Sequence, residues 1–404
     1  MPITIRDAYF LKFHPLFCTL NKPPSIQLSP VHPVSSPASP EKAKTYNRIR
    51  LLLSLPSPVV TLLLFVALIT QGWSTILADW ARSIIPGSYG ALLVFVFAIA
   101  LLQGTLTLPL TFILSYVIEH RYGLSNQSLC TWTWERLKEV LVSAPIAAVV
   151  VIALYLCMEW FGNFWWVILG LLLVLANILF ARIAPVLLLP IFYRIVPMAE
   201  GVLKERLGAL CVNAGLRFEG IYQFDLSRNT RKANAAFTGI GRARRILLGD
   251  TLLEDFTNDE IETVVAHELG HYLRHHLLIG IVYGAVTTFA GLLVASRLYI
   301  WSLAKAGFEG PTDLAALPLL AIWLSLFAIV TMPLGNMLSR KHEREADAFA
   351  VRTTGNAAGF SSALRKLAAK NLADPEPHPI VEFLFYSHPS ISRRLRMVNG
   401  VTSS

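Results

Sequence analysis

Charge is scarce in this sequence. Asp, Glu, Lys and Arg make up 15% of its 404 residues and hydrophobic residues 54%, whereas a soluble domain carries about 25% charged residues. That deficit excludes a wholly soluble protein. Cysteine is rare too: Cys18, Cys130, Cys157 and Cys211 form no CxxC pair, and one falls inside an apolar run. A disulfide framework, a cysteine-held metal and thiol redox chemistry are therefore not expected. The net charge of +9 is not gathered into a basic stripe interleaved with aromatics. No nucleic-acid partner is expected, and loops facing anionic lipid account for the charge. The N-terminal MPITIRDAYFLKFHPLFCTL is interrupted by Arg6, Asp7, Lys12 and His14 and lacks a small-residue cleavage site, so no cleaved signal peptide is expected.

What is present is a series of apolar runs, each near the length of about 20 residues that crosses a bilayer as a helix. Six are expected, near Val59–Ala78, Tyr89–Leu108, Val140–Trp160, Trp165–Phe180, Leu277–Leu298 and Leu317–Met337. The fourth runs on through ARIAPVLLLPIFYRIVP, where Pro185 and Pro190 should kink or end it. Before the first lies KPPSIQLSPVHPVSSPASP, Lys22 to Pro40, a Pro/Ser-rich stretch that composition marks as a poorly ordered tail. Lys42, Lys44, Arg48 and Arg50 precede span one, and Arg121, Arg136 and Lys138 separate spans two and three. The opposite side has little beyond Arg82, Arg297 and Lys305. The basic excess puts both termini, and the long insert between spans four and five, in the cytoplasm.

Within that insert, Val202, Leu203, Leu207 and Leu210 have helical spacing over Glu200–Ala214, closed by Gly215. Strand-like pieces follow at Gly220–Phe224, Ala233–Thr238 and Arg245–Leu248. Thr257 and Glu260 then form a capping box ahead of a helix that carries HELGH, His267 to His271. Residues four apart share a helix face, so His267 and His271 can point imidazole nitrogens at one metal ion. Glu268, next to the first of them, is placed to take a proton from the water that the metal activates. So short a motif can arise by chance, and it needs a third ligand. His275, in an unbroken helix, would stand about 12 Å along the axis from His267, too far to share a metal. His275 and His276 are expected instead as interfacial polar residues where the same helix continues into span five. A metzincin-type third histidine is absent.

After span six comes SRKHEREADAFA, Ser339 to Ala350. Glu343 and Asp347 lie four apart there, so one carboxylate can ligate a metal while the other supports a ligand histidine. A charged, solvated helix end is the plainer alternative. HELGH followed at this distance by SRKHEREAD resembles the paired motifs of the M48 metalloendopeptidases, down to the transmembrane hairpin between them. NAAFTGIGRARRILLGDTLL (Asn234 to Leu253), LPLTFILSYVIEHRYGLSNQSL (Leu108 to Leu129) and FYSHPSISRRL (Phe385 to Leu395) resemble the Ste24 branch, the CAAX prenyl proteases. The likeness runs from about Glu41 to the end; eukaryotic members carry a further N-terminal span where this chain has its tail.

The resemblance implies a zinc site, one Zn²⁺ per chain, formed by His267, His271 and Glu343, with Glu268 as catalytic base and Asp347 as either a proton donor or support for a ligand histidine; a carboxylate beside a cationic metal should stay ionised, which favours support. It also implies that His388 and Arg394 approach the substrate carbonyl as oxyanion donors. From the sequence alone these two read as a His-Pro turn and an arginine on a basic C-terminal helix. Asn234, Ala235, Ala236 and Phe237 resemble an edge strand that pairs with an extended substrate through backbone hydrogen bonds; a buried hairpin strand is the other reading. TGIGR lacks the βαβ context of a nucleotide loop.

The expected fold class is mainly α: a polytopic membrane helical protein of about six spans with a small α+β zinc metallopeptidase domain at the cytoplasmic face. Residues 1–50 would form the tail, 51–192 spans one to four and 193–276 the extramembrane part ending in the HExxH helix. Residues 277–338 would form the hairpin of spans five and six, and 339–404 the C-terminal part with the third ligand. The expected activity is zinc-dependent endopeptidase on a membrane-associated or lipidated peptide or protein at the lipid bilayer, in a bacterial inner membrane or a eukaryotic endoplasmic reticulum. Two alternatives stand beside it: an HtpX-like quality-control protease, which shares both motifs, and a transporter or receptor with structural or no zinc. The spans hold few of the ionisable residues a transport path would need.

Overall fold

The computed structural model describes residues 40–183, 189–216, 218–238 and 244–401. The Pro/Ser-rich stretch before Pro40, Pro185 and the glycines of TGIGR lie outside them. Helices α1 (Pro40–Ser54) and α2 (Pro56–Thr70) follow almost without a break. Residues 40–50, expected as the end of the tail, are thus helical. The reason is tertiary: Tyr46 is buried against Ile118, Leu124 and Leu372, and Asn47 donates to the Leu372 carbonyl at 2.6 Å. Gly72, at φ 69°, ends this helix pair and starts α3 (Trp73–Ile84). The expected first span, Val59–Ala78, is therefore cut at its C-terminal end. Helix α4 (Ser88–Phe112) runs through a π-helical turn at Ile113–Val117 into α5 (Ile118–Arg121).

Next come α6 (Leu129–Phe161) and α7 (Trp165–Ile183), broken at Gly162 with φ 47°. Among the described residues, five apolar helical stretches are long enough to cross a membrane: Pro40–Thr70, Ser88–Arg121, Leu129–Ile183, His276–Ala306 and Leu314–Thr354. The third comprises α6 and α7, which pack on each other, so all six apolar segments of the sequence lie on helices, the first of them broken at Gly72. Their outward faces are apolar. Val330 is 74% exposed and Val149 67%, a surface that requires lipid around it. Between the helices, Trp165, Leu292, Tyr299 and Leu320 are buried. Glycines permit the close approaches: a Cβ on Gly170 would meet Phe289 at 2.6 Å, and one on Gly291 would meet Phe327 at 2.9 Å.

The extramembrane insert begins with α8 (Leu189–Phe192), β1 (Ile195–Pro197) and α9 (Val202–Asn213). It continues with β2 (Gly220–Phe224), β3 (Ala235–Thr238), β4 (Arg245–Gly249) and α10 (Asp250–Asp255). The sheet order is β1-β2-β4-β3: β1 is antiparallel to β2, β2 parallel to β4, and β3 antiparallel to β4 with Ala235 opposite Leu248. Strand β3 is thus an edge. Three strands follow the sequence expectation; β1 does not, being three residues long and ending in a proline.

Helix α11 (Asn258–Leu273) carries HELGH, and α12 (His276–Ala306) and α13 (Leu317–Thr354) form the hairpin. The chain closes with α14 (Ala357–Lys370), α15 (Pro379–Phe385) and α16 (Ile391–Val401). Ile246, Leu248, Leu252, Ile261, Val265, Leu269 and Phe360 fill the core between sheet, α11 and α14. The result is a membrane helical protein whose long last hairpin helix, α13, runs on into a small α+β layer.

Candidate metal centre

Helix α11 starts where its capping box says it should: the Glu260 amide donates to Thr257 Oγ1 at 3.3 Å, and the Thr257 amide donates to Glu260 Oε2 at 2.8 Å. It crosses α13 at Gly270. A Cβ there would meet Ala346 Cα at 3.0 Å and its carbonyl oxygen at 3.2 Å, so glycine facing alanine sets how closely the two backbones approach. That crossing brings His267 and His271 to Glu343 and Asp347.

The three candidate ligands converge. His267 Nε2 and His271 Nε2 lie 3.1 Å apart, His267 Nε2 is 3.5 Å from Glu343 Oε2, and His271 Nε2 is 3.3 Å from Glu343 Oε1. Four ligands around zinc at bond lengths of about 2.0–2.1 Å have edges of roughly 3.3 Å in tetrahedral geometry. The donor triangle matches that size, and two imidazoles with one carboxylate suit zinc chemically. His267 and Glu343 are buried and His271 half-buried.

A second tier of contacts surrounds the triangle. His267 Nδ1 faces Asp347 Oδ1 at 2.8 Å, off the line of a strong hydrogen bond. Asp347, fully buried, accepts a fork from Arg394, Nε at 2.8 Å and Nη2 at 2.6 Å. Arg394, expected beside a substrate carbonyl, holds Asp347 with two of its nitrogens and has Nη2 3.6 Å from Glu343 Oε2. His388 Nε2 lies 3.2 Å from Glu343 Oε1, and its Nδ1 is 2.9 Å from Ser387 Oγ. Glu268 has no side-chain hydrogen bond or ion pair to protein among the described residues, although it is adjacent to His267.

Charge balance in the cluster points to a cation. Burial works to lower the pKa of His267, but Asp347 and Glu343 outweigh it and raise it to about 10. Burial raises the Glu268 carboxyl above its usual range, with His267 and His271 pulling it back. For Arg394 burial opposes the charge, and Asp347 and Glu343 more than restore it. Carboxylates that hold extra protons on neighbouring groups are what a divalent ion would neutralise.

Three supporting features escaped the sequence reading. Arg340 on α13 is buried and Nη1 donates to the carbonyls of Glu382 at 3.0 Å, Phe383 at 3.3 Å and Tyr386 at 2.5 Å. Asn336 adds a bond to the Leu384 carbonyl at 2.7 Å, so α13 itself fixes the turn that presents His388. Arginine in the SRKHEREAD motif was the available signal. Second, α11 does not continue into α12, as expected, but ends at Leu273. His275 takes a left-handed φ of 56°, and α12 begins at His276. Third, His276 is buried with Nδ1 3.0 Å from His271 Nδ1, rather than lying in the interface; His275 is exposed.

Asn234, Ala235, Ala236 and Phe237 lie beside α11, where the rings of Phe237 and Tyr272 meet at 5.1 Å. Among the described residues β3 pairs with β4 alone. The Gly249 amide donates to the Asn234 carbonyl at 3.0 Å. Just upstream, Lys232 Nζ is 2.9 Å from Glu119 Oε2 and 3.3 Å from Tyr46 Oη. This ties the start of the edge strand to α1 and α5.

Residues 197–402 match the family model for peptidase family M48, and residues 21–194 match that of the CAAX prenyl protease N-terminal region with five membrane helices. The chain is similar to the uncharacterized metalloprotease YhfN of Bacillus subtilis, 29% identical over 358 residues that cover 88% of this chain and 84% of that protein. It is also similar to CAAX prenyl protease 1 of Saccharomyces cerevisiae, 27% identical over 334 residues covering 77% and 72%. The crystal structure of S. mikatae Ste24p shares the fold, with a TM-score of 0.81 over 89% of each chain at 23% identity. The M48 match takes in more than half of the residues, the helix crossing at Gly270 and every candidate ligand; the chain therefore belongs to peptidase family M48 and is a multi-pass membrane metalloendopeptidase.

Proposed function

We propose that this chain holds one Zn²⁺ on His267, His271 and Glu343 and cleaves peptide bonds in membrane-associated, prenylated protein substrates. The observation that carries the metal is the donor triangle, whose edges of 3.1, 3.3 and 3.5 Å match a tetrahedral zinc site with one position left for water. When bound there, zinc supplies a Lewis acid that polarises the scissile carbonyl and acidifies water. Glu268, unengaged by protein donors among the described residues, takes the proton of the attacking water and delivers it to the leaving amine. Asp347 holds the His267 ring in position, and Arg394 keeps Asp347 ionised. His388, beside Glu343, donates to the oxyanion as it develops, with Arg394 behind it.

Strand β3 takes an extended substrate along the edge turned away from β4, which reads backbone and tolerates many side chains. The substrate class rests on the relatives named CAAX prenyl protease 1 and on the lipid-facing helices around the site. The basic residues near α1, α5 and α6 support a cytoplasmic position for the catalytic layer and both termini. In this reading residues 193–276 and 339–404 form the peptidase layer around the hairpin. The test is Glu268→Gln: zinc should stay bound at one per chain while cleavage of a farnesylated CaaX peptide falls by at least three orders of magnitude. Retained cleavage would reject the mechanism. Cleavage of an unfolded membrane protein in preference to the farnesylated peptide would reject the substrate class in favour of a quality-control protease.

A further inference from the structure

Metal-binding histidines need a partner on the ring nitrogen that faces away from the metal, because that partner fixes both tautomer and ring angle. His267 has Asp347. No carboxylate reaches the outer nitrogen of His271 among the described contacts; His271 Nδ1 instead meets His276 Nδ1 at 3.0 Å, and His276 Nε2 meets Glu345 Oε2 at 3.0 Å. One proton arrangement satisfies the whole chain of contacts. If His271 offers Nε2 to the metal, its Nδ1–H donates to His276 Nδ1, and His276 then donates Nε2–H to the Glu345 carboxylate.

We propose that His276 and Glu345 are positioning residues for His271, a histidine–carboxylate relay that does at long range for the second ligand what Asp347 does directly for the first. The inference rests on the zinc reading above.

The backbone is built for this contact. Residue 276 is five on from 271, so in a continuous helix the two would point about 140° apart. The left-handed turn at His275 breaks the helix and swings His276 back over His271. His342 on α13 stacks on the His276 ring at 4.1 Å between centroids and 7° between planes, which fixes the ring plane. The side chain of His276 is 4% exposed, whereas that of Glu345 is 38% exposed and touches Lys341 at 3.8 Å. Water can therefore reach the far end of the relay and not its middle.

The test is zinc affinity, measured by chelator competition on the detergent-solubilised full chain, with the spectrum of the cobalt-substituted protein as a second readout. His276→Phe keeps the ring and removes both nitrogens; the expected loss is about tenfold or more, with shifted cobalt bands. Glu345→Ala should weaken zinc in the same direction and Glu345→Gln less, because the amide oxygen still accepts from His276. The double variant H276F/E345A should lose no more than H276F alone. Lys341→Ala should leave affinity unchanged. Wild-type affinity in H276F or E345A overturns the relay, as do additive losses in the double variant or equal losses in E345A and E345Q, which would mark a bare charge effect. If H276F does not fold, E345A against E345Q decides alone. A wild-type chain that binds no zinc would reject the zinc reading itself, a result distinct from any of these.

Discussion

The membrane half and the peptidase layer are held together by opposite means. Around α7, α12 and α13, contacts are apolar and shaped by glycine: Phe289 lies over Gly170 and Phe327 over Gly291. In the peptidase layer charged side chains are paired in the interior: Arg394 on Asp347, Asp347 facing His267, and Arg340 on three carbonyls. Lipid explains the difference. Apolar side chains gain little from leaving an apolar solvent, so helices there select partners by fit; next to water, directional pairing of buried charges sets unique positions for catalytic groups.

The largest effect should come from Arg394→Ala, which leaves Asp347 buried beside a histidine alone; breaking such a pair costs about 3–5 kcal/mol. Unfolding of the peptidase layer should report it, with Arg394→Lys intermediate because lysine has no fork. Next is Gly291→Leu, an overpacking change expected to cost about 1–3 kcal/mol. It should lower the melting temperature while leaving zinc stoichiometry intact, since its clash with Phe327 lies among the membrane helices.

Thr257→Ala removes one arm of the capping box and should cost about 1 kcal/mol, visible in chemical unfolding. The same box gives a pH dependence. Burial acts to raise the Glu260 carboxyl, but bonds from Lys366, Ser362 and Thr257 lower it below its ordinary value. Its contribution is therefore complete above the unfolded value of about 4.3 and is lost as pH falls through the lower folded value. A melting-temperature series below pH 5 should fall more steeply for wild type than for Glu260→Gln. The smallest effect belongs to His275→Gly. A non-glycine residue in the left-handed region is strained by about 1–2 kcal/mol, so this variant should be as stable as wild type or slightly more, with zinc affinity retained.

Local physics made part of the site legible. His267, Glu268 and His271 follow from helical spacing, the start of α11 from Thr257 and Glu260, and the apolar segments from their length. Glu343 and Asp347 are legible as a pair four apart, although which of them faces the ligands is a matter of how α13 crosses α11. His276 was misread because the periodicity of HELGH runs on without interruption, and no glycine announces the break at His275. Residues 40–50 were misread as tail because their order comes from Ile118, Leu124 and Leu372, distant in the chain. Arg394 reads as one more basic residue until α16 packs against α13 and lays it on Asp347.

By itself, then, the sequence determined that the chain lives in a membrane, that a helix carries two imidazoles one turn apart, and that a second helix offers carboxylates at the same spacing. Each of these rests on periodicity or hydropathy over neighbouring residues. The tertiary structure alone decided that the donors of His267, His271 and Glu343 come within 3.1–3.5 Å of one another, that Arg394 neutralises Asp347, and that His276 turns back onto His271. Those depend on how closely α11 and α13 approach at Gly270 and on one left-handed residue, and neither is fixed until distant segments pack.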